Sequence, residues 1–189
     1  MDGYMKISEN AHFQLHIALS DSDRSEAIHF IETQMRKAYN CDPPETNGVI
    51  CVARYNNDIV GSIALYGVEN GAQFPLETYY NFSLNKCPFP FERSNLVQVG
   101  RWIAIQPHVS RLLLLASFQM AFDMGKRYAL IEAKPYSVKR LLELGFNCKE
   151  IPDAILMEEN IWKIVGDEGM KYFAETPKPS LYMIELKQS

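Results

Sequence analysis

Between Leu96 and Phe146 the chain runs through two apolar stretches, each followed by a helical one, and this order constrains the fold more than any other feature. "LVQVGRWIAI" (Leu96 to Ile105) and "YALIEA" (Tyr128 to Ala133) read as strands. The run between them, "SRLLLLASFQMAFDMGKR", reads as a buried helix stopped by Gly125, with Lys126 and Arg127 at the negative end of its dipole. "PYSVKRLLELGF" is a second helix, with Pro135 in its first turn and Gly145 as its stop. Two strands joined through a helix cannot form a hairpin. They read as a βαβ-like unit in the middle of a sheet.

The flanking sequence supplies the rest of that sheet. Phe13, Leu15 and Ile17 alternate with polar residues as in a strand, and a Ser/Asp cluster then leads into a helix carrying Ile28, Ile31, Met35 and Ala38 at helical spacing. "GVICVARYNNDIVGSIALYG" holds two apolar runs around Asn56, Asn57 and Asp58, a hairpin signature. Val68 to Ser94 is long, aromatic and proline-rich without clear periodicity, which marks a functional or ligand-covering segment. The tail predicts a strand start, one helix and a final strand at "SLYMIEL". The expected fold is a mixed α/β (α+β) sheet, antiparallel in its first half, with helices on both faces. At 189 residues and 47% hydrophobic, one domain spanning 1–189 is expected.

The strand at Leu96 is odd in its middle, where Gln98, Gly100 and Arg101 interrupt the apolar pattern. Either something must approach that backbone closely, or Gly100 marks a bulge and Arg101 reaches out of a sheet edge. Charge narrows the partners. Residues 101–150 hold eight Lys/Arg against four Asp/Glu, a local +4, while the whole chain is −4 and the remainder is therefore −8. Such a balance excludes wrapping of nucleic acid but suits a phosphorylated ligand or an acidic protein on one face. Cys41, Cys51, Cys87 and Cys148 form no CxxC pair and read as reduced thiols, and the histidines lack ligand spacing, so no metal is expected. With no apolar leader and no run long enough to span a membrane, a cytoplasmic location is expected.

That element order, together with "PLETYYN", "LVQVGRWIAI", "LLELGF" and "GMKYFAETPKP", resembles the GCN5-related N-acetyltransferase (GNAT) superfamily. Within it the sequence is similar to the autoinducer-synthase-like branch of acyl-homoserine-lactone and N-acyl amino acid synthases, and to the thermostable hemolysin relatives. The resemblance implies that the fourth and fifth strands splay apart, so that a thioester donor's pantetheine arm pairs with main chain of the fourth. It thus assigns Trp102, Ile103, Ala104 and Ile105 to donor contacts, and the helix start at Ser110, Arg111 and Leu112 to its phosphates. Arg101 would orient an anionic acceptor or carbonyl, and Glu132 would act as base. No cofactor would be bound permanently. The donor would be acyl-CoA or an acyl carrier protein, and the acceptor a small amine such as an amino acid derivative.

Departures from the family pattern are specific. The glycine-bearing loop that cradles pyrophosphate is missing, with Ser110 near its second glycine. Leu142 stands where many members have the tyrosine that protonates the leaving thiolate, leaving Tyr136, Ser137 and Cys148 as nearby substitutes. Gln98 replaces a Glu of the autoinducer branch. Asp42 falls where those synthases carry acidic acceptor-pocket residues, or is a turn aspartate before two prolines. Tyr79, Tyr80, Phe82, Phe89, Phe91 and Trp102 could line an acyl tunnel or form a core wall. The expected function is N-acyl transfer from a thioester to a small amine; the alternatives are a GNAT-fold binding module without catalysis, and a membrane-damaging protein.

Overall fold

The computed structural model describes residues 13–44, 46–67 and 73–187. Strand β1 (Phe13–Ile17) leads into helix α1 (Asp21–Tyr39), whose N-cap Ser20 accepts the amide of Asp23 at 3.1 Å and whose end is turned by left-handed Asn40. Strands β2 (Val49–Tyr55) and β3 (Asp58–Tyr66) form the expected hairpin, with Asn56 and Asn57 at φ 50° and 73° in its turn.

The start of the long segment, 68–72, lies outside the described residues. From Gln73 onward the segment is more ordered than its composition suggests. It contains helix α2 (Leu76–Tyr79), the two-residue strand β4 (Tyr80–Asn81) and two 3-10 turns. Glu77 ties it down by accepting from Arg93 at 2.9 and 2.6 Å and from the Phe74 amide at 2.8 Å.

Strand β5 (Leu96–Ala104), helix α3 (Pro107–Asp123), strand β6 (Tyr128–Ala133) and helix α4 (Pro135–Glu143) make up the strand–helix core of the chain. β5 and β6 are the fourth and fifth strands expected from the sequence, displaced in number by the short β4. Strands β7 (Asn147–Glu150) and β8 (Ile155–Leu156), helix α5 (Glu158–Ala174) and strand β9 (Ser180–Glu185) follow. The one helix expected in the tail is bent, because Gly166 sits at φ 63°, ψ −173° inside α5.

The main sheet has the order β1-β2-β3-β5-β6-β9-β7, and β4 pairs with β8 in a small second sheet. Only β5 and β6 run parallel; the other neighbours are antiparallel.

Alternation along the central strands sends residues to two faces. Val97, Val99, Ala129, Ile131, Ala133 and Ile184 join Val109, Leu113 and Phe118 of α3 and Leu141 of α4 on one face. Leu96, Leu130, Leu181 and Met183 meet Phe74, Leu76, Tyr80 and Phe89 on the other, where α1 also covers Ile50, Val52 and Ala64. Each fully buried leucine of this set contributes on the order of 2 kcal/mol. Phe82, Phe89 and Phe91 belong to this packing. They form a core wall beneath the long segment.

Candidate active site

The inner pairing of the sheet ends halfway along β5. Residues Leu96 to Val99 pair with Tyr128 to Ile131, and beyond Val99 and Ile131 the two strands part. Each keeps its outer partner past that point: Gly100, Ile103 and Ala104 pair with β3, and Glu132 and Ala133 pair with β9. The gap is therefore a local divergence of two intact strands.

The divergence has a cause in the sequence. One extra residue lies on β5 between the pairs Ala64↔Gly100 and Ser62↔Ile103, a β-bulge that bends the strand. The left-handed backbone of the bulge falls on Arg101, at φ 51°, and not on the neighbouring glycine. Positive φ in a long side chain costs about 1–3 kcal/mol and persists only where the surroundings impose it. Here the Arg101 carbonyl accepts from Ser62 Oγ at 3.2 Å, and the guanidinium donates to the Pro44 carbonyl at 2.9 Å and to Thr46 Oγ1 at 3.3 Å. The loop that receives it is braced by Arg24, which donates to the carbonyls of Gly48 and Thr46. Gly100 serves a different need. A Cβ there would stand 3.1 Å from the ring of Tyr66, so the glycine lets that ring lie against the strand.

The gap opens into a cavity of about 290 Å³. Arg101, Trp102 and Ile103 of β5 and Glu132 of β6 line it, and Tyr79, Tyr172 and Tyr136 add hydroxyls. Its inner wall, between α1 and α5, is largely apolar and includes Met35, Ile161, Val165 and Phe173. Glu132 alternates onto this side because Ile131 and Ala133 face α3 and α4. Burial pushes its carboxyl up to about 7, opposed by the hydroxyls of Tyr80 and Tyr172 and by the charge of Arg101. Its Oε2 is sealed from solvent without a hydrogen-bond partner, and so is the hydroxyl of Tyr80.

Other candidates are placed differently. Ala104, Ile105, Ser110, Arg111 and Leu112 do not line the cavity. The Ile105 amide is spent on the Val60 carbonyl at 2.9 Å, and alternation turns the Ile103 amide the same way, so main-chain groups of Trp102 and Ala104 face the gap. The Ser110 amide is taken by the Gln106 carbonyl at 3.3 Å, while its carbonyl accepts from Trp102 Nε1 at 3.1 Å. That bond pins the end of β5 to the start of α3.

Gln98 is a brace. Only 4% exposed, it accepts the Leu76 amide at 2.9 Å and so fixes the start of α2. Asp42 is exposed and paired with Arg36, which agrees with the turn reading. Cys148 sits on β7 against the α3/α4 face, its thiol pushed up to about 11 by burial, and Leu142 is exposed on α4; neither reaches the cavity. Tyr136 and Ser137 do reach it. Lys134, 5% exposed, pairs with Glu175 at 2.6 Å rather than with Glu132. All four cysteines are free thiols, and among the described residues no three His, Cys, Asp or Glu side chains gather as a metal set. Tyr172 was the residue least visible to sequence reasoning; its only signal was its place in "GMKYFAETPKP".

Residues 17–189 match the thermostable hemolysin family. No curated protein matches the sequence. Among solved structures the fold is similar to that of TofI in an apo form, with a TM-score of 0.64 and 13% identity over 93% of this chain and 91% of that one. It is similar to BjaI, a CoA-dependent acyl-homoserine lactone synthase solved with SAM and isopentyl-CoA, with a TM-score of 0.55 and 12% identity over 87% of this chain and 74% of that one. An acetyltransferase of the GNAT family from Staphylococcus aureus gives a TM-score of 0.52 and 14% identity, covering 93% of this chain and 99% of that one. At such identities the likeness is one of fold, and that fold is the GNAT one.

Proposed function

The chain belongs to the thermostable hemolysin family, and from its cavity we propose that it is an N-acyltransferase, moving an acyl group from a thioester to a small amine such as an amino acid derivative. The observation that carries this reading is the end of β5–β6 pairing at Val99 and Ile131 while both strands keep their outer partners. A free strand edge inside a cavity is a template for an extended, amide-bearing ligand, and the pantetheine arm of acyl-CoA or of an acyl carrier protein is one. The isopentyl-CoA bound by BjaI supports a thioester donor.

In this reading the donor lies along β5 with its carbonyl oxygen facing a main-chain amide of Trp102 or Ala104, which stabilises the charge that develops there. Arg101 orients the carbonyl or an anionic group of the acceptor. The amine nitrogen attacks the thioester carbon, forming the N–C bond and breaking the C–S bond. Glu132 accepts the proton that the nitrogen sheds. A carboxyl near 7 is matched to that task at neutral pH. The departing thiolate takes a proton from a hydroxyl at the start of α4, where Tyr136 and Ser137 reach the cavity. Ser110, Arg111 and Leu112 stand outside the cavity, and donor phosphates would meet them at the surface.

The experiment is thiol release from a series of acyl-CoAs in the presence of mixed amino acids, with the acylated amine identified by mass spectrometry. Arg101→Ala and Glu132→Gln should each lower kcat/KM by about a hundredfold or more. Wild-type protein that releases no thiol with any acyl-CoA or acyl carrier protein, yet binds them, favours the non-catalytic module. The family's name points to a third reading. Among the described residues no helix is long and apolar enough to cross a membrane, and dye release from liposomes by the purified protein would favour membrane damage.

A further inference from the structure

Helix α5 is broken where it walls the cavity. Gly166 holds φ 63°, ψ −173°, a backbone region open essentially to glycine alone, although a Cβ there would touch nothing. The glycine is needed for its backbone and not for space. The Trp162 indole crosses the break, donating from Nε1 to Asp167 Oδ1 at 2.7 Å. The two halves dock on different elements. At the start of the first, the Met157 amide donates to the Tyr79 carbonyl at 2.8 Å and Asn160 Nδ2 to the Thr78 carbonyl at 3.2 Å. In the second, the Tyr172 ring packs edge-on to Tyr39 of α1 at 5.5 Å, with Lys134 Nζ 4.8 Å from its centre.

Both halves line the same cavity, Ile161 and Val165 from the first and Gly169, Tyr172 and Phe173 from the second. The break displaces Val165. In a regular helix the Cβ atoms of residues four apart stand about 5–6 Å from each other, yet a Cβ on Gly169 would lie 2.4 Å from that of Val165 and 3.3 Å from Cys41 Sγ. Val165 therefore sits over the bare backbone of Gly169, at the junction of the two halves, and shares the wall with Met35 and Cys41. Gly166 makes the turn and Gly169 makes the room. The result is one branched apolar side chain set into a wall that the charged groups, Arg101 and Glu132, leave free of chemistry.

We propose that Val165 is a specificity-determining residue: with Gly166 and Gly169 it fixes how large an aliphatic group the cavity admits between α1 and α5. That group is the acyl chain of the donor or the side chain of the acceptor, one chemistry from two sources. The inference rests on the acyl-transfer reading and deepens it, by stating what limits the substrate. Interiors are close-packed, so adding or removing a methyl or two at such a wall changes which group fits.

The test measures thiol release by the full chain in two series: acyl-CoAs from acetyl to dodecanoyl with mixed amino acids, and single amino acids from glycine to leucine with the best acyl-CoA. Val165→Ala should raise kcat/KM for the larger members relative to the smallest by about tenfold in the series whose group meets this wall, and Val165→Met should lower that ratio by a similar factor. The series that responds identifies the source. A side chain needed only for packing would lower every rate together and leave the ratio alone. Ile164→Ala, exposed on the same half and outside the cavity, should leave it unchanged, and an equal change there would overturn the assignment to Val165. Calorimetric affinities for acyl-CoA thioethers of the same lengths and for N-acyl amino acids read the same ratios without turnover. Wild-type protein that releases no thiol but shows the affinity ratios shifting in the Val165 variants removes the acyl-transfer reading and keeps the size limit. Ratios unchanged by both Val165 variants, in turnover and in affinity, overturn the size limit.

Discussion

Arg101 and Glu132 reach one cavity by different routes, and the difference sets what each mutation should do. Arg101 is there because the bulge turns its backbone left-handed and three hydrogen bonds hold the result, whereas Glu132 is there through plain strand alternation. Glu132 also imposes a pH dependence on stability. Its carboxyl ionises near 4.5 in the unfolded chain and near 7 in the folded one, so the unfolded state sheds its proton first as pH rises. The stability it contributes is complete below about 4.5, declines through that interval and is gone above about 7. Glu132→Gln should remove this decline and, at pH 8, unfold in urea with a stability greater than wild type by up to about 3 kcal/mol. A parallel pH profile for the two proteins would show that Glu132 is not desolvated. Its candidacy was legible because a lone acid in the apolar run "YALIEA" must be paired, exposed or useful. Its tyrosine neighbours were not legible, because β4 and α5 meet it only through tertiary packing.

At the scale of elements, the strand–helix–strand–helix run from Leu96 was readable throughout, since apolar periodicity and the glycine stops agree there with the packing. The origin of the gap was half readable. Gly100 and Arg101 marked an irregular strand, and the irregularity is a bulge whose left-handed residue is Arg101 rather than Gly100, beside an inner edge that stays unpaired beyond Val99. Composition alone misdescribed the long segment, because its order comes from contacts distant in sequence, such as Gln98 to Leu76 and Asn160 to the Thr78 carbonyl. The first of these contacts can be tested. Gln98→Ala leaves the Leu76 amide buried without an acceptor, so it should cost about 1–3 kcal/mol in thermal or urea unfolding. It should also increase amide exchange across α2 and β4 more than in α3. Unchanged stability and uniform exchange would mean that the brace is incidental.

Across the whole molecule, the sheet combines continuity at its flanks with an interruption at its centre. Pairing runs from β1 to the outer side of β5, with bulges in β2–β3 and β3–β5, and from the outer side of β6 to β7. A cavity can therefore exist at the middle of the sheet without weakening the core on the α3/α4 face. The missing glycine loop has a structural counterpart: the Ser110 amide is already bonded, leaving the first turn of α3 few donors for a pyrophosphate. The fold was legible because it follows from element order, while the details of donor binding depend on main-chain directions that no residue pattern encodes. The most direct measurement is amide hydrogen exchange with and without a saturating, non-transferable acyl-CoA thioether. Protection should appear at Gly100 to Ala104 and around Glu132, with little change in β1, β2 or β7. Saturated binding that leaves Gly100 to Ala104 exchanging as before would contradict the claim that the open edge of β5 holds the acyl donor.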